Sequence, residues 1–177
     1  KETIGENSAT IVKYVEQSRT GIHLLNLSRC AIGYVVRGEK HLYYGDTHHV
    51  ISRGDVFYLG VGNHYIEDIP EEGKGFEQLV VYYSSALLQR ILLFLNMSYS
   101  INITNNHHCE RCRRMNHISM PARGALRGLF VHMLSYLQDE DFMHDATAEN
   151  IKMTELIYLI TSQKDSCLKT KVLTNVD

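Results

Sequence analysis

Five residues of the kind that bind soft metals fall in one short run: His107, His108, Cys109, Cys112 and His117, within HHCERCRRMNH. Thiolate and imidazole are the ligands zinc prefers, and Cys-x-x-Cys is a spacing it uses. A closed structural site takes four ligands. Here no second Cys-x-x-Cys lies downstream, and Cys167 stands isolated in the sequence. Cys109 and Cys112 are therefore the metal candidates, but the pair reads equally as reduced thiols, as a redox couple or as part of a polar connection. No metal or other cofactor is assigned from sequence. Arg111, Arg113 and Arg114 make the run basic. Cations beside a cysteine lower its thiol pKa, although a solvated basic loop explains them as well.

The remaining histidines give no catalytic set. His48 and His49 are adjacent, so on a strand they point to opposite faces and cannot share one ion. No Ser-His-Asp or Cys-His arrangement is defensible, and Gly60-Val61-Gly62 lacks the strand-to-helix setting of a phosphate loop. Tyrosine is abundant between positions 34 and 83. It offers flat apolar area with a hydroxyl handle, suited to a small binding site, and it is also an ordinary strand former. If the strands enclose a ligand, His23, Tyr43, Tyr58 and His64 are the residues expected to line it. His23, inside Ile22-His23-Leu24-Leu25, is otherwise a hydrogen-bonded barrel residue.

The elements that must position these groups centre on residues 34–65. Tyr34-Val35-Val36, His41 to Tyr44, His48 to Ile51, Val56 to Leu59 and His64 to Ile66 are short β-forming runs. Glycine turns at Gly38, Gly45-Asp46, Gly54-Asp55 and Gly60-Val61-Gly62 separate them. That spacing predicts an antiparallel sandwich or barrel. Residues 9–15 and 21–27 supply earlier strands, and Phe76 to Tyr83 a strong later one. Near residue 84 the apolar period changes from two to 3.6. Ser84 or Ser85 can cap a helix over 86–96 with Leu87, Leu88, Ile91, Leu92 and Leu95 on one side. A second helix follows Ser119, with Pro121 in its first turn, and presents Leu126, Leu129, Phe130, Met133 and Leu137. A third, over 147–161, carries Met153, Leu156, Ile157 and Ile160, with Ile151, Tyr158 and Leu159 widening its apolar surface. One stripe suffices for a surface helix, so this one should touch its own domain and something else.

The order Gly38, Gly45-Asp46, Gly54-Asp55, apolar strand, His64 resembles the cupin barrel of the AraC/XylS transcription regulators. Arg53 stands where that family usually has Pro, and Gly60 where Pro is common. Lys152, Glu155 and Leu156, in IKMTELIYLI, resemble the last regulatory-domain helix of the same family. The matched parts run from about residue 22 to 163. The resemblance implies a mainly β fold with helices: a cupin-like antiparallel barrel or jelly roll over residues 1–84, and a helical dimerisation subdomain over 85–163. Residues 164–177 would then form a linker toward a helix-turn-helix DNA-binding domain absent from this chain. It also implies an effector-sensing, homodimerising function in the cytoplasm, with Leu126, Leu129, Phe130, Met133, Met153, Leu156, Ile157 and Ile160 at the dimer interface. The effector would be a small molecule or a protein, and DNA would be reached only through the missing domain. The alternative is a metal-dependent cupin enzyme, an isomerase or dioxygenase. Its His-x-His and Glu motif is not met around Gly45 to Ile51.

Composition agrees with a binding module. The 177 residues carry a net charge of −2, so nothing invites nucleic acid electrostatically. With 44% hydrophobic and 21% charged residues the balance is that of a soluble domain with a real core. No apolar run approaches the roughly 18 residues of a membrane span, and no secretory signal is recognisable. With Lys rather than Met at position 1, the expectation is a piece excised from a longer protein. Four cysteines do not make a disulfide framework.

Overall fold

A computed structural model describes residues 8–142 and 144–174; the polar N-terminal residues 1–7 lie outside it. Nine strands are described: β1 (Thr10–Glu16), β2 (His23–Leu27), β3 (Cys30–Arg37), β4 (Glu39–Tyr44), β5 (Thr47–Ile51), β6 (Asp55–Leu59), β7 (Gly62–Ile69), β8 (Phe76–Tyr83) and β9 (His117–Pro121). The helices are α1 (Ser85–Tyr99), α2 (Glu110–Arg114), α3 (Gly124–Tyr136), α4 (Ala146–Ser162) and α5 (Cys167–Thr174). The strands form two antiparallel sheets, β1-β8-β3-β6-β9 and β2-β7-β4-β5. This is the barrel with helical appendage that the resemblance implied.

Alternation along the strands builds two cores. Ala31, Val35, Phe57, Leu59 and Val80 face the smaller sheet, where Leu42, Ile51 and Ile66 meet them. Ile32, Tyr34, Val56, Tyr58, Leu79, Val81 and Tyr83 face the other way, against α1, α3, α4 and α5. The larger sheet is thus covered on both sides, which is why β3, β6 and β8 read as nearly continuous apolar runs. The Tyr34 ring stacks on Phe130 of α3 at 5.1 Å. Gly33 is required by close approach: a Cβ there would sit 2.1 Å from Phe57 Cζ. Gly38 makes the β3–β4 turn at φ +85°, a left-handed conformation that disfavours side chains.

Ser84 caps α1, its hydroxyl accepting from the Leu87 N–H at 3.1 Å, and Asp145 caps α4 through Ala148 at 2.8 Å. The buried Glu149 carboxylate accepts the Ile11 N–H, and Asn150 the Ala9 N–H, each at 2.8 Å, so α4 ties down the edge strand β1.

Three local expectations give way. Pro121 closes β9 instead of opening a helix; α3 begins at Gly124. Residues 117–121, expected outside the barrel, pair with β6 and extend the larger sheet. Residues 167–174, expected as linker, form α5, with Leu168 and Val172 buried in the helical core.

Candidate functional site

Between the two sheets lies a cavity of about 180 Å³, lined among others by Tyr14, His23, Lys40, Phe57, Asp68 and Gln78. Its polar centre is Lys40, 2% exposed. The Lys40 ammonium donates to Asp68 Oδ1 at 2.9 Å and to Gln78 Oε1 at 3.1 Å. It also lies 5.5 Å from the Phe57 ring and 5.9 Å from the Phe76 ring. Burial lowers the Lys40 pKa, and Asp68 opposes that shift. Across the cavity the Tyr14 and Tyr82 hydroxyls hydrogen-bond at 2.8 Å, and burial followed by that bond pushes the Tyr82 phenol upward.

A histidine group sits on the inner faces of β5, β7 and β9. His117 is 3% exposed with both ring nitrogens unpartnered; it meets His49 edge-on at 4.8 Å and Tyr44 at 5.2 Å. Burial, then the nearby His49, pushes its pKa down to about 4. The His64 Nε2–H donates to the Gly60 carbonyl at 2.7 Å, and burial again favours the neutral ring.

Outside the barrel, His107, Cys109, Cys112 and Cys167 converge, their ligand atoms all within 4.8 Å of one another. Cys109 Sγ is 3.1 Å from Cys112 Sγ and 3.5 Å from Cys167 Sγ, while His107 Nε2 is 3.3 Å from Cys167 Sγ. Cys109 is the N-cap of α2 and accepts the Cys112 N–H. Hydrogen bonding from the Cys112 thiol and then from its amide lowers the Cys109 pKa to about 6; burial raises Cys112 to about 12.

A wide groove of about 820 Å³ runs between α1 and α4, lined mainly by Phe94, Tyr99, Ile101, Ile151, Thr154 and Tyr158. Phe94, Tyr99, Ile151 and Tyr158 are all exposed.

The family model described as the ExsA N-terminal regulatory domain matches residues 30–169. The chain belongs to that family. The regulatory domain's fold recurs in apo ToxT from Vibrio cholerae at TM-score 0.62 and 7% identity, covering 89% of this chain and 57% of that one. The AraC-like transcriptional activator CuxR aligns at TM-score 0.55 and 10% identity, covering 90% of this chain and 55% of that one. A wild-type ToxT structure from the same species with bound unsaturated fatty acid aligns at 0.50, with 9% identity and coverage of 89% and 56%. The ExsA-type chain therefore spans a little over half the length of these proteins. No curated protein sequence matches it.

Within this regulatory domain the four expected ligand residues do not share one cavity. His23 lies at the mouth of the barrel cavity. His64 is on the same inner face, toward His117. Tyr58 points the opposite way, into the helical core, with its hydroxyl 3.6 Å from Cys30 Sγ. Phe57, its neighbour, takes the cavity position. Tyr43 is on the outer face of the smaller sheet, stacked on His48 at 4.6 Å. His48 and His49 do point apart: His48 hydrogen-bonds His41 at 2.7 Å, and His49 meets His117.

The eight residues expected at the dimer interface need a larger correction. Leu126, Leu129, Phe130, Met133, Met153, Leu156, Ile157 and Ile160 are each no more than 4% exposed. They are the stripes by which α3 and α4 pack on the barrel and on each other, and burial within one chain leaves them no area for a second. The residues that remain outside are Val131, Ile151 and Tyr158, with Leu93, Phe94, Met97 and Tyr99 of α1. Sequence reasoning also passed over Lys40, Asp68 and Gln78. Lys40 had a signal, being a charge in phase with Leu42 on an inward-facing strand.

Proposed function

We propose that this ExsA-type regulatory domain senses an effector through its barrel and homodimerises through α1 and α4, as part of a longer AraC-like transcription regulator in the cytoplasm. DNA contacts would come from a separate domain, since the net charge of −2 gives this one no attraction for phosphates. The organisation is then a sensing barrel built from residues up to 84 together with β9, and a helical unit over 85–163 closed by α5. The observation that carries dimerisation is α4. Its inner stripe is fully used in the core, yet Ile151 is 60% and Tyr158 41% exposed beside Phe94 and Tyr99. Contiguous exposed apolar surface on one side of two packed helices is characteristic of an interaction face.

For the effector, the barrel cavity supports a small acid: Lys40 is a desolvated cation whose carboxylate partner could exchange with a ligand carboxylate. The cavity, about 180 Å³, is smaller than the roughly 300 Å³ at which ordinary ligand sites begin, so it suits a compact molecule. An enzyme reading finds little support, because the metal-type donors that converge among the described residues are mainly thiolates rather than the imidazole and carboxylate set of a redox cupin.

Light scattering of the purified chain tests the dimer. The native chain should run as a dimer, and Ile151→Glu or Tyr158→Glu should give folded monomers. A native monomer, or a dimer indifferent to both changes, would remove this reading. Leu156→Glu is a different experiment: at 0% exposure it should unfold the domain. Native mass spectrometry of the same samples would reveal a co-purified acid.

A further inference from the structure

We infer that His107, Cys109, Cys112 and Cys167 form a closed structural zinc site that clamps α5 to the body of the domain. The donor set is Cys₃His, one of the standard combinations of structural zinc, and all four positions are filled by protein, leaving none for substrate. Iron–sulfur clusters ordinarily take four cysteines. A zinc tetrahedron with Zn–S near 2.3 Å has S···S edges of about 3.8 Å and S···N edges of about 3.6 Å. Three of the six edges, at 3.1, 3.5 and 3.3 Å, are slightly shorter than this, and the other three lie within 4.8 Å, so a metal at the centre needs shifts of about 1 Å along the edges. A redox couple would need only Cys109 and Cys112. It gives no reason for an imidazole, and a third thiol from a separate helix, to converge on the same point.

The surroundings fit an anionic centre. Zn²⁺ displaces three S–H protons to solvent and takes a neutral imidazole, leaving a net charge of −1 on the ligated ion. The Cys112 N–H already points at Cys109 Sγ, at 3.4 Å. Arg111 acts electrostatically on Cys167, and the Lys171 ammonium donates to the Cys112 carbonyl at 3.2 Å. Polar bonds then align the two segments: Thr170 donates to the His107 carbonyl, Asn105 to Thr170 Oγ1, and the Asn106 N–H to Asp165.

The clamp also answers a mechanical need. α5 has eight residues, too few for a helix to hold by itself. It buries only two large apolar side chains, Leu168 and Val172. Metal ligation from Cys167 to a segment some sixty positions earlier closes a long loop and adds the fixation that so short a stripe lacks.

The test is elemental analysis of the 177-residue chain, purified without chelator or added metal, with cobalt substitution and limited trypsin digestion. The expected result is one zinc per chain. Cobalt exchange should give the intense visible absorption of tetrahedral thiolate coordination. Chelation should expose Lys169 and Lys171 of α5 to trypsin while the barrel stays intact. Cys167→Ser should lower zinc content at least tenfold and expose the same lysines, whereas Cys30→Ser, at a cysteine remote from the cluster, should leave zinc at one per chain. Metal-free protein with four titratable thiols, a Cys109–Cys112 disulfide without metal, iron in place of zinc, or zinc retained in Cys167→Ser would each overturn the assignment. The outcome is independent of whether the barrel senses an effector.

Discussion

Replacing Asp68 by Ala leaves Lys40 as an uncompensated buried cation, and its size and pH dependence can be worked out. At an effective dielectric of about 20, two unit charges 2.9 Å apart attract by about 6 kcal/mol. Desolvating both ions costs a similar amount, so the intact pair is close to break-even against an apolar pair of equal volume. Removing only the carboxylate keeps the desolvation cost of the ammonium and forfeits the attraction, a loss of about 3–5 kcal/mol. That is a large share of a typical domain stability of about 5–15 kcal/mol. Gln78 and the Phe57 and Phe76 rings still face the ammonium, which places the expectation at the lower end of the range. The double change Lys40→Met with Asp68→Leu should recover most of the loss, because both charges go and their volume stays.

The pH dependence has a definite sign. Burial already holds the Lys40 pKa below 10.5, and Asp68 is what supports it. Without Asp68 it falls further. Between that lowered native value and 10.5 the unfolded chain binds more protons than the folded one, so stability rises with pH across the window. The deficit of Asp68→Ala relative to wild type should therefore shrink as pH is raised from 7 toward 10. Urea denaturation followed by far-UV circular dichroism measures both effects. A variant within about 1 kcal/mol of wild type at pH 7, or a double variant no better than the single one, would refute the buried-pair argument.

Other perturbations are simpler. His117, with a folded pKa of about 4 against 6.5 for the free group, leaves stability unaffected above pH 6.5 and costs about 3 kcal/mol as pH falls to 4. His117→Phe removes two unpartnered ring nitrogens and should flatten that acid limb of the urea midpoint; an unchanged profile would assign the acid sensitivity elsewhere. Gly33→Ala drives a methyl into the Phe57 ring at 2.1 Å and should lower stability by about 1–3 kcal/mol, with Phe57→Leu in the same chain restoring part of it. Ser84→Ala should cost about 1 kcal/mol through loss of the α1 cap, read as a shift in thermal midpoint.

What the sequence disclosed follows the range of the interactions. Turns and periods are local, so strand β8, a cap at Ser84 or Ser85 and the span of α4 could be read directly, and the structure selects Ser84. Strand phase in a sheet covered on both faces is not local. Val56, Phe57, Tyr58 and Leu59 are all apolar, and only the packing of helices behind the sheet decides that Phe57 enters the cavity while Tyr58 leaves it. The same ambiguity misassigned the dimer residues. A helix stripe is visible in sequence, but whether it meets its own barrel or a second chain depends on how many stripes the helix has. The surplus at Ile151 and Tyr158, which the proposed dimer would use, was also legible, and the buried stripe beside it was the stronger pattern. The cysteine cluster is the limiting case. His107, Cys109 and Cys112 are close in sequence, but the fourth ligand reaches them only because α5 folds back across β6 and β9. Cys167 looks isolated in the chain because the contact that gives it a partner is a product of the whole fold. That also explains why a metal there would report on folding: the ion can find four ligands only when barrel, α2 and α5 are all in place.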